Sequence, residues 1–148
     1  MRILLIHNKY KLPGGEDNVF MAESELLEGY GHEVEQIIFD NSVIQTFLDK
    51  CLNALRLFYN PRSAKMIARK IEEFKPDVIH VHNFMPLVSP SVFFVANRYN
   101  IPVILTLHNF RLVCPSATLF YKNAIYEKSL NSYFPFDAIM KGVYRNSI

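Results

Sequence analysis

Cysteine is scarce in this chain. Cys51 and Cys114 are the only two in 148 residues. They make neither a disulfide framework nor a metal-spaced pair, so a reducing cytoplasm is the expected compartment. Long apolar runs are missing too. Ile3 to Ile6 are four apolar residues before a polar one, too few for a signal-peptide core, and no stretch approaches the ~18 residues of a membrane span. Charge of one sign is also in short supply. Sixteen basic against fourteen acidic residues leave +2, which argues against nucleic acid as the main partner. Apolar side chain, by contrast, is plentiful at 50%. That excludes a disordered chain and suits one well-packed domain.

Charge is distributed unevenly along the chain. Residues 1–35 hold three basic and seven acidic side chains, whereas residues 50–75 hold seven basic and two acidic ones. Hydrophobic patterning predicts alternating strands and helices. Residues 2–7 read as a strand buried on both faces, followed by a turn at Pro13-Gly14-Gly15. A helix from Asp17 is expected to face inward through Val19, Ala22, Leu26 and Tyr30, with Gly29 and Gly31 as its stop. Residues 32–39 read as a second strand, completing a βαβ opening.

Asn41-Ser42 offers a cap for a helix carrying Ile44, Phe47, Leu48, Cys51, Leu52, Leu55, Phe58 and Tyr59 on one face. Asn60-Pro61 starts another, with Ala64, Ile67, Ile71 and Phe74 inward and Lys75-Pro76 as its end. Residues 77–82 and 103–107 read as strands flanking a helix that begins at Ser89-Pro90. A small hairpin turning at Asn123-Ala124 follows. Residues 131–148 fit no pattern, and the ending at Asn146-Ser147-Ile148 reads as cut rather than finished. The fold class is therefore α/β, with a mostly parallel central sheet and right-handed crossovers.

In such sheets ligands bind beyond the carboxyl ends of the strands, near the point where strand order reverses. That rule selects residues 7–16, Asp40, residues 82–86 and residues 108–111. Gly14 and Gly15 before a helix let a ligand approach the backbone, and the free N–H groups there favour an anion. Glu16 and Asp17 would repel a diphosphate, so a hydroxyl-rich ligand or a peripheral phosphate contact fits better; a plain turn with a capped helix is the bland alternative. The G-x-G-x-x-G fingerprint is absent, which discounts an NAD-binding oxidoreductase despite Asp40. His80 and His82 flank Val81, but an H-x-H pair needs further ligands to hold a metal. His80 reads as a core histidine with one hydrogen bond, and His82-Asn83 as the better site candidate. His108, Asn109 and Arg111 can orient hydroxyls and neutralise developing charge, unless Arg111 simply forms a surface ion pair. Cys114 reads as a small buried thiol.

Several of these stretches together resemble a known family: PGGED in the first loop, GHEV after the first helix, PDVIHVHN, and IPVILTLHNFRLVCP. They are similar to the N-terminal half of retaining family 4 glycosyltransferases with the two-domain GT-B fold. The resemblance covers residues 1–122, with residues 123–148 as a poorly matched, truncated tail and the donor-binding C-terminal domain absent. It implies a Rossmann-like three-layer sandwich that binds the acceptor. It also implies Gly14 and Gly15 near the donor phosphates, His108 as the catalytic residue beside the transferring sugar, and Asn109 and Arg111 on the acceptor side. Glu16, His82 and Asn83 complete the expected substrate-binding set. Relatives carry further cysteines where Tyr126 and Ser129 stand here, so no cysteine-based metal role is expected.

The resulting expectation is an acceptor-side domain that moves sugar from a nucleotide-sugar to a glycan or lipid-linked acceptor and is inactive alone. No metal and no bound cofactor are expected. The alternative is a non-catalytic or split-subunit module working with a separate donor-binding chain. Residues 43–75, basic and apolar, are either a pair of core-packed helices with a solvated basic face or a surface that docks on anionic lipid at the inner face of the membrane.

Overall fold

A computed structural model describes residues 1–10, 14–130, 134 and 136–143. The chain divides into two units, Met1–Thr106 and Leu107–Ile148. Pro13 of the first turn and the ending at Asn146-Ser147-Ile148 lie outside the described residues.

The first unit is a Rossmann-like α/β sandwich. Four strands, β1 (Arg2–Lys9), β2 (Glu33–Asp40), β3 (Val78–Val81) and β4 (Val103–Leu105), pair in the order β2-β1-β3-β4 and are all parallel. β1 is the hinge of the arrangement. The chain leaves it towards β2 and returns on its other side as β3, so strand order reverses between β1 and β3. Alternation along β1 sends side chains to both faces. Leu4 and Ile6 join Ile79 and Val81 against α3 (Pro61–Phe74) and α4 (Ser91–Arg98). Ile3, Leu5 and Val78 join Phe20 of α1 (Gly15–Gly29) on the opposite face. Helices on both faces of the sheet make three layers.

Helix ends follow the sequence in two places. The N–H of Gly31 bonds the carbonyl of Glu28 and that of His32 the carbonyl of Leu27, with Gly31 at φ +81°. This Schellman pattern needs a left-handed residue, which glycine supplies without strain. Asn60 accepts from the N–H of Arg62, and Pro61 opens α3. Ala64, Ile67, Ile71 and Phe74 are all buried, as their spacing predicts.

Elsewhere the packing overrides periodicity. Val19, Ala22, Leu26 and Tyr30 are exposed, and α1 instead turns Phe20, Ser24 and the partly buried Leu27 to the sheet. The sheet face under α1 explains the shift: beyond Ile3 and Leu5 it carries polar side chains, and Gln36 donates to Ser24 Oγ at 2.7 Å. α2 (Phe47–Leu55) begins at Thr46, whose hydroxyl forms a capping box with Asp49, rather than at Asn41-Ser42. Asp40 caps a single 3₁₀ turn there. Among the nine residues of α2 none is buried, and Phe47 is 77% exposed. The core-packed reading of residues 43–59 therefore fails, while it holds for α3.

β4 is a short edge strand with Ile104 exposed, not the buried five-residue strand its composition suggests. In the second unit, β5 (Phe120–Tyr121) and β6 (Ala124–Ile125) form the hairpin. Its turn is Lys122-Asn123, one residue earlier than predicted. Both have positive φ, as a type I′ turn demands, and asparagine tolerates that conformation better than Ala124 would. Cys114 is buried with Tyr126, Ala138 and Val143, the last two on or just after α5 (Phe136–Met140). Tyr126 donates to Asp137 Oδ2 at 2.8 Å.

Candidate functional site

The reversal of strand order puts the carboxyl ends of β1 and β3 side by side, and α1 covers them. β1 ends in His7, Asn8 and Lys9; β3 runs directly into His82 and Asn83. Odd positions of β1 and even positions of β3 share the α1 face, so His7, His80 and His82 lie together beneath this helix. Phe20 sits among them. Its ring stacks on His7 at 4.9 Å between centroids and meets His82 edge-on at 5.3 Å.

Each of two histidines has a carboxylate from α1. His7 Nε2 is 2.9 Å from Asp17 Oδ1, and His80 Nδ1 is 2.7 Å from Glu23 Oε1. Burial works to raise the Asp17 pKa, but the Gly14 N–H and His7 outweigh it and hold the carboxyl below its ordinary 3.8. Asp17 is thus ionised at neutral pH and can only accept. His7 Nε2 therefore carries the hydrogen of that bond. His7 Nδ1 is buried, with no hydrogen-bond partner among the described residues. Glu23 also reaches His82, with Oε2 3.4 Å from Nε2. His80 Nε2 meets Thr106 Oγ1 at 2.7 Å, so this ring is held at both nitrogens rather than by the one bond expected of it.

The glycine loop lies over the same helix end. Gly14 is the N-cap of α1 and donates to Asp17 Oδ2 at 2.8 Å. Its φ of −126° and ψ of 174° are open to any residue. Gly15 is exposed, and a Cβ built on it meets nothing within 4 Å. The fold itself does not need glycine at either position. What glycine leaves, among the described residues, is an exposed first residue of a helix with no side chain over it. Glu16, in the first turn, is half-buried.

Asn83 is taken up by the backbone around it. Its Nδ2 donates to the Asn8 carbonyl at 2.8 Å and its Oδ1 accepts from the Met85 N–H at 3.2 Å. Asn8, fully buried, accepts the N–H of Leu87 and of Val88 on its own Oδ1. Asn60, Ser63, Ser89 and Ser91 hold the far end of the same loop: Asn60 donates to the Leu87 carbonyl, and Ser63 to that of Val88. The loop after β3 is thereby tied to β1, α3 and α4. Asp40, the acid after β2, accepts the Ser42 N–H, which lowers its pKa; it caps a turn.

His108, Asn109 and Arg111 belong to the second unit, and all three are half-buried. Asn109 Oδ1 accepts the Arg111 N–H at 3.0 Å, and the Phe110 carbonyl accepts from Val113 and Cys114. The tight turn so formed buries Cys114, whose sulfur contacts Ser116 Oγ at 3.2 Å.

The family model for glycosyltransferase family 4 matches residues 14–143. This chain belongs to glycosyltransferase family 4. No curated protein and no solved structure gives a significant match. The match covers the exposed Gly14-Gly15 helix end, His80 and His82, and the His108–Arg111 turn. Of the residues brought together beneath α1, sequence reasoning selected His7 as a strand-end residue and Asp17 only as a carboxylate of the first helical turn, and it missed Glu23. Glu23 lacked any local signal, because its partner histidines belong to a strand that follows two further helices in the chain.

Proposed function

We propose that this family 4 chain is the acceptor-side module of a sugar transferase, working at the carboxyl ends of β1 and β3. The observation that carries this reading is the open N-terminus of α1 at Gly14-Gly15, set where strand order reverses. An exposed helix N-terminus suits a phosphate edge or a sugar hydroxyl, while Glu16 and Asp17 disfavour a whole pyrophosphate. In this reading Gly14, Gly15 and Glu16 contact substrate beside His82, with Asn83 shaping the loop. His108 positions the transferring sugar and hydrogen-bonds it as an oxocarbenium-like charge develops; Asn109 and Arg111 orient the acceptor. A donor-binding half, in the same polypeptide or on a separate chain, supplies the nucleotide-sugar. Transfer itself uses no bound cofactor.

Backbone amide NMR of the chain tests this. Adding sugar acceptors is expected to shift the amides of Gly15, His82 and Asn83. A nucleotide-sugar is expected not to saturate at about 1 mM, meaning less than about 4 kcal/mol of binding. Micromolar nucleotide-sugar affinity would sink the acceptor-side assignment.

A second reading concerns α2. The exposure of Phe47, Leu48 and Leu55, beside a segment with seven basic and two acidic side chains, favours docking on an anionic bilayer that carries a lipid-linked acceptor. Among the described residues no helix is long and apolar enough to cross a membrane; the contact proposed is a peripheral one on the cytoplasmic leaflet. Each of these side chains is worth about 1.5–3 kcal/mol if fully buried in lipid. Replacing all three by serine is expected to weaken sedimentation with phosphatidylglycerol vesicles at least about tenfold. Binding by the unaltered chain should fall as salt rises. Absent or salt-insensitive binding removes this surface from the function.

A further inference from the structure

Glu23, His80 and His82 do more than fill space beneath α1. Positions 80 and 82 are two apart on a strand, so their imidazoles project from one face and lie 4.5 Å apart between centroids. α1 crosses that face and inserts the Glu23 carboxylate between them. One oxygen is 2.7 Å from His80 Nδ1, the other 3.4 Å from His82 Nε2. The three ligand atoms all lie within 4.8 Å of one another. Zinc bonds of about 2.0–2.2 Å in a tetrahedron set neighbouring ligand atoms about 3.3–3.5 Å apart. The 3.4 Å contact to His82 falls within that separation and the 2.7 Å contact to His80 is shorter than it, and Glu23, the most exposed of the three side chains at 27%, has room to adjust.

We propose that Glu23, His80 and His82 form a binding site for a divalent cation of the zinc class, tying α1 to β3. Two imidazoles and one carboxylate are borderline ligands of the kind zinc prefers, and three protein ligands leave one position open. Thr106 completes the arrangement. A ligating imidazole is oriented by a hydrogen bond from its other nitrogen, and His80 Nε2 is 2.7 Å from the Thr106 hydroxyl. That hydroxyl can serve both states of the site. With no ion, Nδ1–H donates to Glu23 and the hydroxyl donates to Nε2. With the ion, the Nδ1 lone pair turns to the metal and Nε2–H donates to the hydroxyl. His7 stands outside the set, since its Nε2 is engaged by Asp17. The site shares His82 with the sugar reading, but zinc is titrated here with no sugar present and sugar transfer is expected to run without metal, so either reading can fail alone.

The test is calorimetric titration of zinc chloride into the full chain carrying Cys51→Ser, which removes an exposed thiol. One saturable equivalent is expected, with a rise in Tm, and magnesium chloride is expected to give neither. Glu23→Gln keeps the shape and loses the charge; it should weaken zinc at least about tenfold, as should His82→Ala. Thr106→Val should weaken it by about 10- to 100-fold while leaving the ligands in place. Far-UV circular dichroism checks that each variant is folded, and Glu23→Gln carries the result if His82→Ala is not. Zinc that binds Glu23→Gln as tightly as the unaltered chain overturns the proposal, as does no saturable binding. Loss of zinc on His32→Ala overturns it too, because that would place the ion at the amino terminus, where the Met1 amine is 3.4 Å from His32 Nδ1.

Discussion

Phe20→Ala is expected to cost about 3–5 kcal/mol of unfolding free energy, while Phe47→Ala, on the other apolar helix, stays within about 0.5 kcal/mol. The contrast is large because the two phenylalanines differ completely in burial, 0% against 77% exposed. Phe20 packs on Ile3, Leu5 and Val78 and holds His7 and His82 by ring contacts. Its removal opens a cavity whose lining includes two imidazoles, and a domain of ordinary stability has only about 5–15 kcal/mol to lose. Urea unfolding followed by circular dichroism measures both variants. A loss for Phe20→Ala no larger than a surface substitution gives would mean that α1 does not seat as described. A loss for Phe47→Ala in the range of a buried phenylalanine would mean that α2 is packed, and the bilayer reading would go with it.

Asn8→Ala is expected to cost about 2–4 kcal/mol, although only a small polar side chain is lost. Asn8 Oδ1 accepts two backbone N–H groups, from Leu87 at 3.0 Å and Val88 at 3.4 Å. Alanine would leave the buried Val88 N–H without that acceptor, at about 1–3 kcal/mol, and the half-buried Leu87 N–H at the low end of that range. The loss should be local as well as global. Hydrogen exchange at Leu87 and Val88 is expected to accelerate well beyond that of α3, because Asn60, which caps α3, keeps its own bonds to Ser89 and to the Leu87 carbonyl. Unchanged protection at those two amides, with no measurable loss of stability, would show that another group holds the loop. The position matters for function because this loop begins with His82 and Asn83.

What could be read from residues alone was whatever depends on near neighbours. The α/β class, the parallel sheet, the glycine stop of α1 and the buried face of α3 are all local. Strand, turn and cap preferences act within a few residues, and α3 lies on a uniformly apolar surface that rewards its regular spacing. The family resemblance was equally local, since PGGED, PDVIHVHN and IPVILTLHNFRLVCP are contiguous strings.

Tertiary structure decided what an apolar residue faces and which charge a histidine meets. Val19, Leu26 and Tyr30 have sound helical spacing yet point outward, because the sheet beneath α1 is lined by His7, His80 and His82 and takes Phe20, Glu23 and Ser24 instead. Phe47, Leu48 and Leu55 have the same spacing and find no sheet to cover. Periodicity measures how a helix is sided; burial depends on a second surface that the helix's own sequence does not contain. Likewise H-x-H at positions 80 and 82 lacks a third ligand in its own strand. Glu23 supplies it from a helix far back in the chain, because the crossover from β1 to β2 lays α1 over the neighbouring strand β3.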